Sequence, residues 1–183
     1  MIDGSTRRIL VIGSAGAGKS TMALRLGEIL DLPVIHLDSL FWLPGWERVS
    51  GEEWIRIVER EANRETWIMD GNYGGTLDHR LQRCDTVIFL DVSLWLCLWR
   101  VIRRRIRYAG RSRPDMNQGC PEKIDMEFMR WIWNFPKRNV PPIRQRLAQL
   151  EGKRIVHLRS QRDVARYLDR VGVRSISTAD HST

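Results

Sequence analysis

Residues 7–21 read RRILVIGSAGAGKST, an apolar run followed by a glycine-rich bend and then by Lys-Ser-Thr. An apolar run bounded by glycine predicts a buried β-strand. Apolar residues then recur at helical spacing up to Leu30, and the sequence DLP at 31–33 ends that helix. The stretch therefore predicts a strand, a tight glycine turn and a helix in immediate succession.

The bend matches the pattern G-x-x-x-x-G-K-[ST]. Glycines allow the backbone to curl until successive N–H groups point inward, and the following helix adds its positive N-terminal end. The pattern predicts a nucleoside triphosphate site, with Lys19 bridging the β- and γ-phosphates and the Ser20 hydroxyl on Mg²⁺. The residues predicted to surround the phosphates are Gly13, Ser14, Ala15, Gly16, Ala17, Gly18, Lys19, Ser20 and Thr21.

A dinucleotide-binding turn, G-x-G-x-x-G, is the competing interpretation of the same bend. Asp38 supports it, because a ribose-binding acid is expected about 20 residues after the turn. The turn requires glycine at position 15, however, and Ala15 stands there. Hydride-transfer chemistry would also leave Lys-Ser-Thr without a role. We therefore expect ATP and Mg²⁺ as the cofactors.

Short apolar runs alternate with helical patterns along the rest of the chain. Further strands are predicted at 34–38, 67–71, 86–91 and 154–158, and helices at 50–63, 94–108, 121–135, 141–150 and 162–171. An aromatic-rich loop is predicted at 39–46, and Pro136 is predicted to end the helix at 121–135. Buried strands that alternate with helices are typical of an α/β fold around a parallel sheet.

The chain shows neither internal repeats nor a linker. We therefore expect a single domain over 1–173 and a flexible polar tail at 174–183. The loop at 109–121 contains glycine and proline and has no periodicity, so it is the predicted lid. The predicted acceptor-binding region is 38–64.

The 183 residues carry a formal net charge of +8, which indicates an anionic partner such as a nucleotide, a nucleic acid or an acidic surface. Three widely spaced cysteines form neither a disulfide framework nor a zinc pattern. No charged-then-apolar leader opens the sequence, and no apolar run approaches the ~18 residues of a membrane span. We expect a cytoplasmic protein without a membrane partner, and the oligomeric state is left open.

Arginine is concentrated in one segment, WRVIRRRIRYAGRSR at 99–113. At about 100° per residue, one stripe of a helix here is apolar, and we expect it to anchor the helix. That stripe is Trp95, Trp99, Ile102 and Ile106, and the neighbouring stripe is Arg100, Arg103, Arg104 and Arg107. A phosphate-clamping lid, a solvated face and a nucleic-acid surface are the open interpretations. The adjacent lid loop favours the first.

Over about residues 7–171 the chain resembles the adenylate-kinase-like P-loop kinases. Within them it resembles the group labelled "DNA topology modulation protein", through VIHLDSLFW at 34–42, MDGNYGGTLD at 69–78 and MRWIWNFPKR at 129–138. The resemblance implies a three-layer P-loop fold with a five-stranded parallel sheet in the order 2-3-1-4-5, helices on both faces and a short lid. It also implies transfer of the γ-phosphoryl group of Mg-ATP to a nucleotide or small-molecule acceptor. The group's label implies an alternative, an ATP-binding regulator of DNA topology that binds nucleic acid without kinase activity.

The resemblance implies roles around the nucleotide. Arg100 and Arg104 match the R-x-x-x-R pattern of the lid helix and would act with Lys19 as catalytic cations on the transferring phosphate. Asp70 matches the Asp-Gly after the third strand, where it would organise Mg²⁺ through water beside Ser20. A loop after the last strand, including Ser160 and Arg162, would hold the base.

The acceptor side departs from the family pattern. Adenylate kinases continue Asp-Gly with Phe-Pro-Arg, and that arginine grips the phosphate of the acceptor, whereas this chain continues Gly71 with Asn72-Tyr73-Gly74. Arg80 on the next helix is a candidate replacement. The residues predicted to face the acceptor are Asp38, Asp70, Asn72 and Arg80.

Several polar and aromatic residues nearby keep alternative interpretations. Capping of the following turn is the second interpretation of Asp38. Trp42 and Trp46 flank a Pro-Gly turn in the acceptor region, where stacking on a ring and simple packing are both possible. No role is assigned to His36, because the sequence offers it no nucleophile partner.

Overall fold

Five parallel strands form the central sheet, and a short antiparallel hairpin lies outside it. The structure is a computed structural model that describes residues 6–110, 115–121 and 125–179. In chain order the strands are β1 (Arg8–Gly13), β2 (Val34–His36), β3 (Trp42–Leu43), β4 (Glu47–Arg48), β5 (Trp67–Asp70), β6 (Thr86–Leu90) and β7 (Arg154–Leu158).

The sheet has the order β2-β5-β1-β6-β7, and all its neighbouring pairs are parallel. Counted among the parallel strands alone, this is the predicted order 2-3-1-4-5. An apolar run, ILVI at 9–12, lies in the central strand β1. Helices cover a parallel sheet on both faces, so such a strand is buried on both sides. The interior residues of β1 are accordingly fully buried: Ile9, Leu10, Val11 and Ile12.

Eight α-helices accompany the sheet in the described part of the chain. They are α1 (Lys19–Leu30), α2 (Leu37–Phe41), α3 (Gly51–Ala62), α4 (Leu77–Arg83), α5 (Leu94–Arg107), α6 (Met126–Arg138), α7 (Val140–Ala148) and α8 (Gln161–Ala179). None of the helices in residues 6–110, 115–121 and 125–179 is both long and apolar enough to traverse a bilayer.

Two apolar layers separate the sheet from its helices. Leu10 and Ile12 of β1 pack toward α3, α4 and α7, whereas Ile9 and Val11 pack toward α1, α5 and α8. This alternation follows from the two-residue period of a strand. The predicted three-layer α/β architecture is confirmed.

Some predicted boundaries are wrong. The segment predicted as a loop at 39–46 instead contains the end of α2, strand β3 and the Pro44–Trp46 turn that leads into β4. Pro136 lies inside α6 near its C-terminal end rather than terminating it. The last helix was predicted to end at 171 but continues to Ala179, and residues 180–183 of the predicted tail lie outside the described residues.

The orientation predicted for α5 is also wrong. Its buried face is Cys97, Leu98 and Val101, which pack into the layer with α1 and α8. The stripe that begins with Trp95 and Trp99, predicted to anchor the helix, is exposed instead. Both stripes are apolar, so helical periodicity alone did not determine which of them faces the core.

Part of the predicted lid packs on the β3–β4 hairpin. The side-chain amide of Asn117 donates to the carbonyls of Ser39, at 2.7 Å, and Trp42, at 2.8 Å. The Gly45 N–H donates to the Gly119 carbonyl at 2.9 Å. Residues 111–114 of the predicted lid at 109–121 lie outside the described residues, and its closure over a ligand stays a prediction.

Candidate active site

The predicted site residues gather where β1, β2 and β5 end, at the carboxyl edge of the sheet. His36 and Asp70 are paired neighbours in the register of β2 and β5, and Val11 of β1 is the other neighbour of Asp70. Ligands of open α/β sheets bind at this edge where the strand order reverses. The fold therefore places the glycine-rich bend beside Asp70.

The glycine-rich bend requires glycine for steric reasons. Gly16 has φ +76°, and a Cβ there would lie 2.4 Å from the carbonyl oxygen of Cys97 on α5. Gly18 has φ +99° and occupies the N-cap of α1 without side-chain capping. Because the first N–H groups of a helix lack intrahelical partners, this end of α1 is suited to bind an anion.

Lys19 lies over the bend at its predicted position. Its ammonium donates to the Ser14 carbonyl at 3.1 Å. Burial lowers the pKa of Lys19, while the negative charges of Asp38 and Asp70 act to raise it and the positive charge of Arg104 acts to lower it. The Lys19 ammonium is therefore electrostatically coupled to both carboxylates that are predicted to face the acceptor.

Asp70 connects the bend to strand β2. Its Oδ2 accepts a hydrogen bond from the Ser20 hydroxyl at 2.7 Å, and its Oδ1 lies 2.6 Å from Nδ1 of His36. The carboxylate is only 5 % exposed. Burial acts to lower the pKa of His36, but the hydrogen bond to Asp70 and its charge outweigh burial and raise that pKa.

The Ser20–Asp70 pair fits the predicted Mg²⁺. Magnesium prefers oxygen ligands and is usually held by one or two protein groups, with waters and substrate phosphates completing its shell. The residues that the structure describes contain no group of three or more His, Cys, Asp or Glu suited to hold a metal. A hydroxyl and a carboxylate beside a phosphate-binding bend are therefore the donors on which such a site depends.

Asn72 is bonded to the first glycine of the bend. Its Oδ1 accepts the Gly13 N–H at 2.9 Å, and its Nδ2 donates to the Gly13 carbonyl at 2.6 Å. The side chain thus attaches the loop after β5 to the start of the phosphate-binding bend. Its amide makes this pair of bonds to Gly13, and contact with an acceptor stays a prediction.

Arg80 is bonded to the loop after β5 and is not exposed to the site. The residue is fully buried on α4, and burial lowers the pKa of its guanidinium. Its nitrogens donate to backbone carbonyls of the loop after β5, those of Gly71, Asn72, Tyr73 and Thr76. The predicted role as a replacement for the missing acceptor arginine does not fit, because the buried guanidinium donates its hydrogen bonds to the loop carbonyls.

Asp38, a predicted acceptor residue, is hydrogen-bonded to Tyr73. The Tyr73 hydroxyl donates to Oδ1 of Asp38 at 2.6 Å. The tyrosine ring packs against Phe41 and Trp54, with centroid distances of 4.8 and 4.9 Å. Asp38 lies in α2, and its carboxylate is held in place by this aromatic cluster.

Two arginines of α5, Arg100 and Arg104, lie near the bend. Arg100 donates to the carbonyls of Gly16, at 3.3 Å, and Ala17, at 3.1 Å. Arg104, one turn later, is close enough for its charge to act on the pKa of Lys19. The structure therefore brings both predicted cations to the nucleotide side, and their catalytic role stays a prediction.

The predicted base-holding loop is a helix cap in the structure. The Ser160 hydroxyl donates to Oδ2 of Asp163 at 2.8 Å and accepts the Asp163 N–H at 3.1 Å. These bonds begin α8. Arg162 is exposed, and base binding by Ser160 and Arg162 stays a prediction.

Two tryptophans of the acceptor region pack within it. Trp42 and Trp46 contact each other edge to face at 5.3 Å, and the guanidinium of Arg48 lies 5.4 Å from the Trp42 ring. The Trp46 indole N–H donates to the Pro121 carbonyl at 3.1 Å. Packing of this hairpin accounts for both rings without a stacked ligand.

Sequence reasoning missed two residues of the site. His36 received no role, yet the predicted strand order makes its strand the neighbour of the one that ends at Asp70. For Tyr73, the sequence shows only a departure from the family pattern. The sequence indicates its role less clearly than that of His36, because the contact with Asp38 depends on a left-handed backbone at Tyr73, with φ 36°.

Two curated relatives match part of the chain, and no protein-family profile matches it. A shikimate kinase from Rhodococcus jostii is 28% identical over 137 residues, which cover 67% of this chain and 78% of the relative. A bifunctional shikimate kinase/3-dehydroquinate synthase from Thermotoga maritima is 27% identical over 145 residues, 72% of this chain. This match spans only 27% of the bifunctional protein.

Solved structures share the fold over nearly the whole chain. Shikimate kinase from Acinetobacter baumannii in complex with shikimate matches with TM-score 0.58 and 14% identity, covering 98% of this chain and 97% of that one. A gluconokinase from Sinorhizobium meliloti matches with TM-score 0.53 and 15% identity, covering 96% and 95%. The chain therefore has the predicted P-loop kinase fold and is similar in sequence to small-molecule kinases of that class.

Proposed function

We propose that the chain is a Mg-ATP-dependent phosphotransferase whose acceptor is a hydroxyl group of a small molecule. The observation that carries the proposal is that Lys19, bonded to the glycine-rich bend, is electrostatically coupled to Asp38 and Asp70, while Asp70 is bonded to Ser20. Phosphoryl transfer mainly requires positioning and positive charge around the moving group. This arrangement supplies both at one edge of the sheet.

On the nucleotide side, the chain's own groups bind and orient the phosphates. The backbone N–H groups of the bend and the first turn of α1 bind the phosphate oxygens. Mg-ATP, when bound, supplies the phosphoryl group and a divalent charge. Lys19, Arg100 and Arg104 stabilise the negative charge of the phosphoryl oxygens, while Ser20 and Asp70 hold the magnesium side.

On the acceptor side, Asp38 receives the hydroxyl. One oxygen of its carboxylate accepts the Tyr73 hydroxyl, which leaves the second oxygen to accept a hydrogen bond from the acceptor. A carboxylate that accepts this proton orients the hydroxyl oxygen toward the phosphoryl group and can take the proton as transfer proceeds. Tyr73 fixes the direction in which Asp38 points.

Arg80 argues against a nucleoside monophosphate acceptor. A phosphate acceptor requires cations directed into the site, but the Arg80 guanidinium is buried and bonded to loop carbonyls. The relatives include shikimate kinases, whose named substrate is a small hydroxylated molecule. Both facts support a hydroxyl acceptor over the nucleotide acceptor that the resemblance implied.

An acceptor panel tests the proposal. Purified protein with Mg-ATP is assayed for ADP release with shikimate, gluconate, other sugar acids, nucleosides and nucleoside monophosphates, against water alone. We expect at least one hydroxylated compound to raise ADP release above the water rate and to yield a phosphorylated product by mass spectrometry. In the Asp38→Asn variant, the hydroxylated compound should no longer raise ADP release above the water rate, while Mg-ATP still binds. Stimulation by monophosphates alone would contradict the hydroxyl assignment.

The finer assignment to the group labelled "DNA topology modulation protein" stays a prediction. Its alternative function, regulation of DNA topology, is supported by the net charge of +8. The described residues form no geometry that selects nucleic acid. The phosphotransferase is therefore the function that the site supports best.

A further inference from the structure

The outer face of α5 exposes an unusual amount of apolar surface. Trp95, Trp99, Ile102 and Ile106 are 69%, 54%, 48% and 73% exposed. They follow one another at spacings of four, three and four residues, so they form one continuous stripe along the helix. A helix that buries one apolar stripe normally presents polar residues on the other side. Here the second stripe is apolar as well.

Helix α6 extends this stripe sideways. Trp133 is 52% exposed, and its ring contacts Trp95 edge to face at 5.6 Å. The Trp–Ile face, defined as Trp95, Trp99, Ile102, Ile106 and Trp133, therefore spans two helices. Its three indole rings are partly exposed, and they are in contact or one helical turn apart. Large exposed apolar patches of this kind mark interaction sites.

Only positive charge borders the Trp–Ile face on α5. This helix contains five arginines and no acidic residue. The guanidinium of Arg103 lies 5.2 Å from the Trp99 ring, and Arg107 is exposed one turn later. On α6, Arg130 and Lys137 are exposed on either side of Trp133 in the sequence.

We propose that the Trp–Ile face docks on an anionic lipid membrane surface. Indole rings prefer the interface between headgroups and acyl chains, and isoleucine side chains insert below it. Arginines beside such a stripe interact with anionic headgroups, and each strengthens membrane partitioning about fivefold. The contact is peripheral, which revises the expectation of no membrane partner without requiring a membrane-spanning helix.

Two other occupants fit the face less well. A second copy of the chain would bring the same arginines together, because no acid on α5 can pair with them. A nucleic acid would use the tryptophans for stacking, but Ile102 and Ile106 contribute half of the α5 stripe and offer bases no aromatic surface. An anionic lipid surface satisfies the apolar and the basic residues together.

The face is separate from the phosphate site on the same helix. Arg100 lies on the side of α5 that bonds the bend, whereas Trp99 and Ile102 point to solvent. Docking therefore leaves Arg100 in place, and the inference does not depend on the proposed phosphotransferase.

Vesicle sedimentation of the full chain tests the proposal. The probes are vesicles of phosphatidylcholine alone and of phosphatidylcholine with phosphatidylglycerol, at low and high salt. We expect binding to the anionic vesicles only, weakened at high salt, because the arginine contribution is screened. Trp95→Ser/Trp99→Ser and, separately, Arg103→Glu/Arg107→Glu should each lower partitioning at least about tenfold.

The matched control is Val173→Ser, which removes a side chain that is also 70% exposed but lies on α8. It should bind vesicles like the wild type. Unchanged thermal unfolding of each variant shows that folding is intact. The proposal is overturned if anionic vesicles do not bind, if neutral vesicles bind equally, or if both double variants bind like the control. Two other results would also overturn the proposal. One is a dimer, detected by light scattering, that competes with vesicle binding and is lost in the same variants. The other is oligonucleotide binding that behaves in the same way.

Discussion

The hydroxyl of Tyr73 donates to Oδ1 of Asp38 at 2.6 Å, across the space between the loop after β5 and helix α2. Tyr73 reaches this position with a left-handed backbone, φ 36°, which is uncommon for a residue other than glycine. Arg80 supports that conformation from below by donating to the Tyr73 carbonyl at 3.0 Å. A buried arginine, a strained tyrosine and an acceptor-side carboxylate therefore form one connected arrangement.

Removing the Tyr73 hydroxyl should weaken use of the acceptor without affecting the nucleotide. The Tyr73→Phe variant keeps the ring that packs on Phe41 and Trp54 but leaves Asp38 without its donor. A hydrogen bond to a charged group contributes about 1.5–3 kcal/mol, so we expect acceptor kcat/KM to fall about tenfold or more. Steady-state kinetics with the acceptor found by the panel measures it.

The control measurement for this variant is its affinity for Mg-ATP, which should be equal in Tyr73→Phe and wild type. Equal loss of nucleotide affinity and acceptor kcat/KM would indicate a general loss of structure. Unchanged acceptor kinetics would show that the bond to Asp38 does not matter for the reaction.

Replacing Arg80 should destabilise the fold strongly. Arg80→Met keeps an extended side chain but leaves the carbonyls of Gly71, Asn72, Tyr73 and Thr76 without their donors. Losing one partner of a buried polar network costs about 3 kcal/mol or more. Urea unfolding followed by circular dichroism should show this loss in the free energy of unfolding.

Arg83→Met is the matched control on the same helix, because Arg83 is exposed. Exposed substitutions usually change stability by less than about 0.5 kcal/mol. Equal stabilities of the two variants would contradict the structural role assigned to Arg80.

Local patterns predicted the phosphate-binding bend and the sheet. Gly13, Gly18, Lys19 and Ser20 are close in sequence, and their geometry follows from a strand, a turn and a helix in succession. The strands of the parallel sheet are short apolar runs, so these five strands could also be predicted, but the β3–β4 hairpin was not. The strand order came from the family resemblance. These features require no knowledge of contacts between distant residues.

Contacts between distant residues explain most of what the sequence did not reveal. The bonds of Asn72 to Gly13 and of Tyr73 to Asp38 join residues 59 and 35 positions apart. They depend on side-chain directions within a glycine-rich loop, which no periodicity encodes. For α5 the difficulty was different, because two apolar stripes competed for the core and the one containing Cys97 and Val101 was buried.

His36 should stabilise the metal-free protein most at low pH. Its pKa is raised above the ordinary 6.5 by Asp70. A raised pKa contributes stability that is fully present below the unfolded value and is lost as pH rises through the folded value. The destabilisation caused by His36→Gln should therefore be larger at about pH 6 than at about pH 9. Urea unfolding in EDTA at both pH values measures it.

The same comparison in the Asp70→Asn background is the control for His36. Without the carboxylate, the cost of His36→Gln should no longer be larger at low pH. A cost that rises with pH in the wild-type background, or that keeps its low-pH excess in Asp70→Asn, would contradict the assigned pairing.

Calorimetric titration of Mg-ATP into wild type and Lys19→Ala tests the central claim, that the bend from Gly13 to Ser20 binds the phosphates of a triphosphate. Lys137→Ala, which removes an exposed lysine on α6, is the matched control. We predict saturable one-to-one binding by wild type and Lys137→Ala, and affinity at least about tenfold weaker in Lys19→Ala, because a charge-assisted contact is lost. Equal affinity in all three proteins, or no Mg-ATP binding by the wild type, would contradict the account.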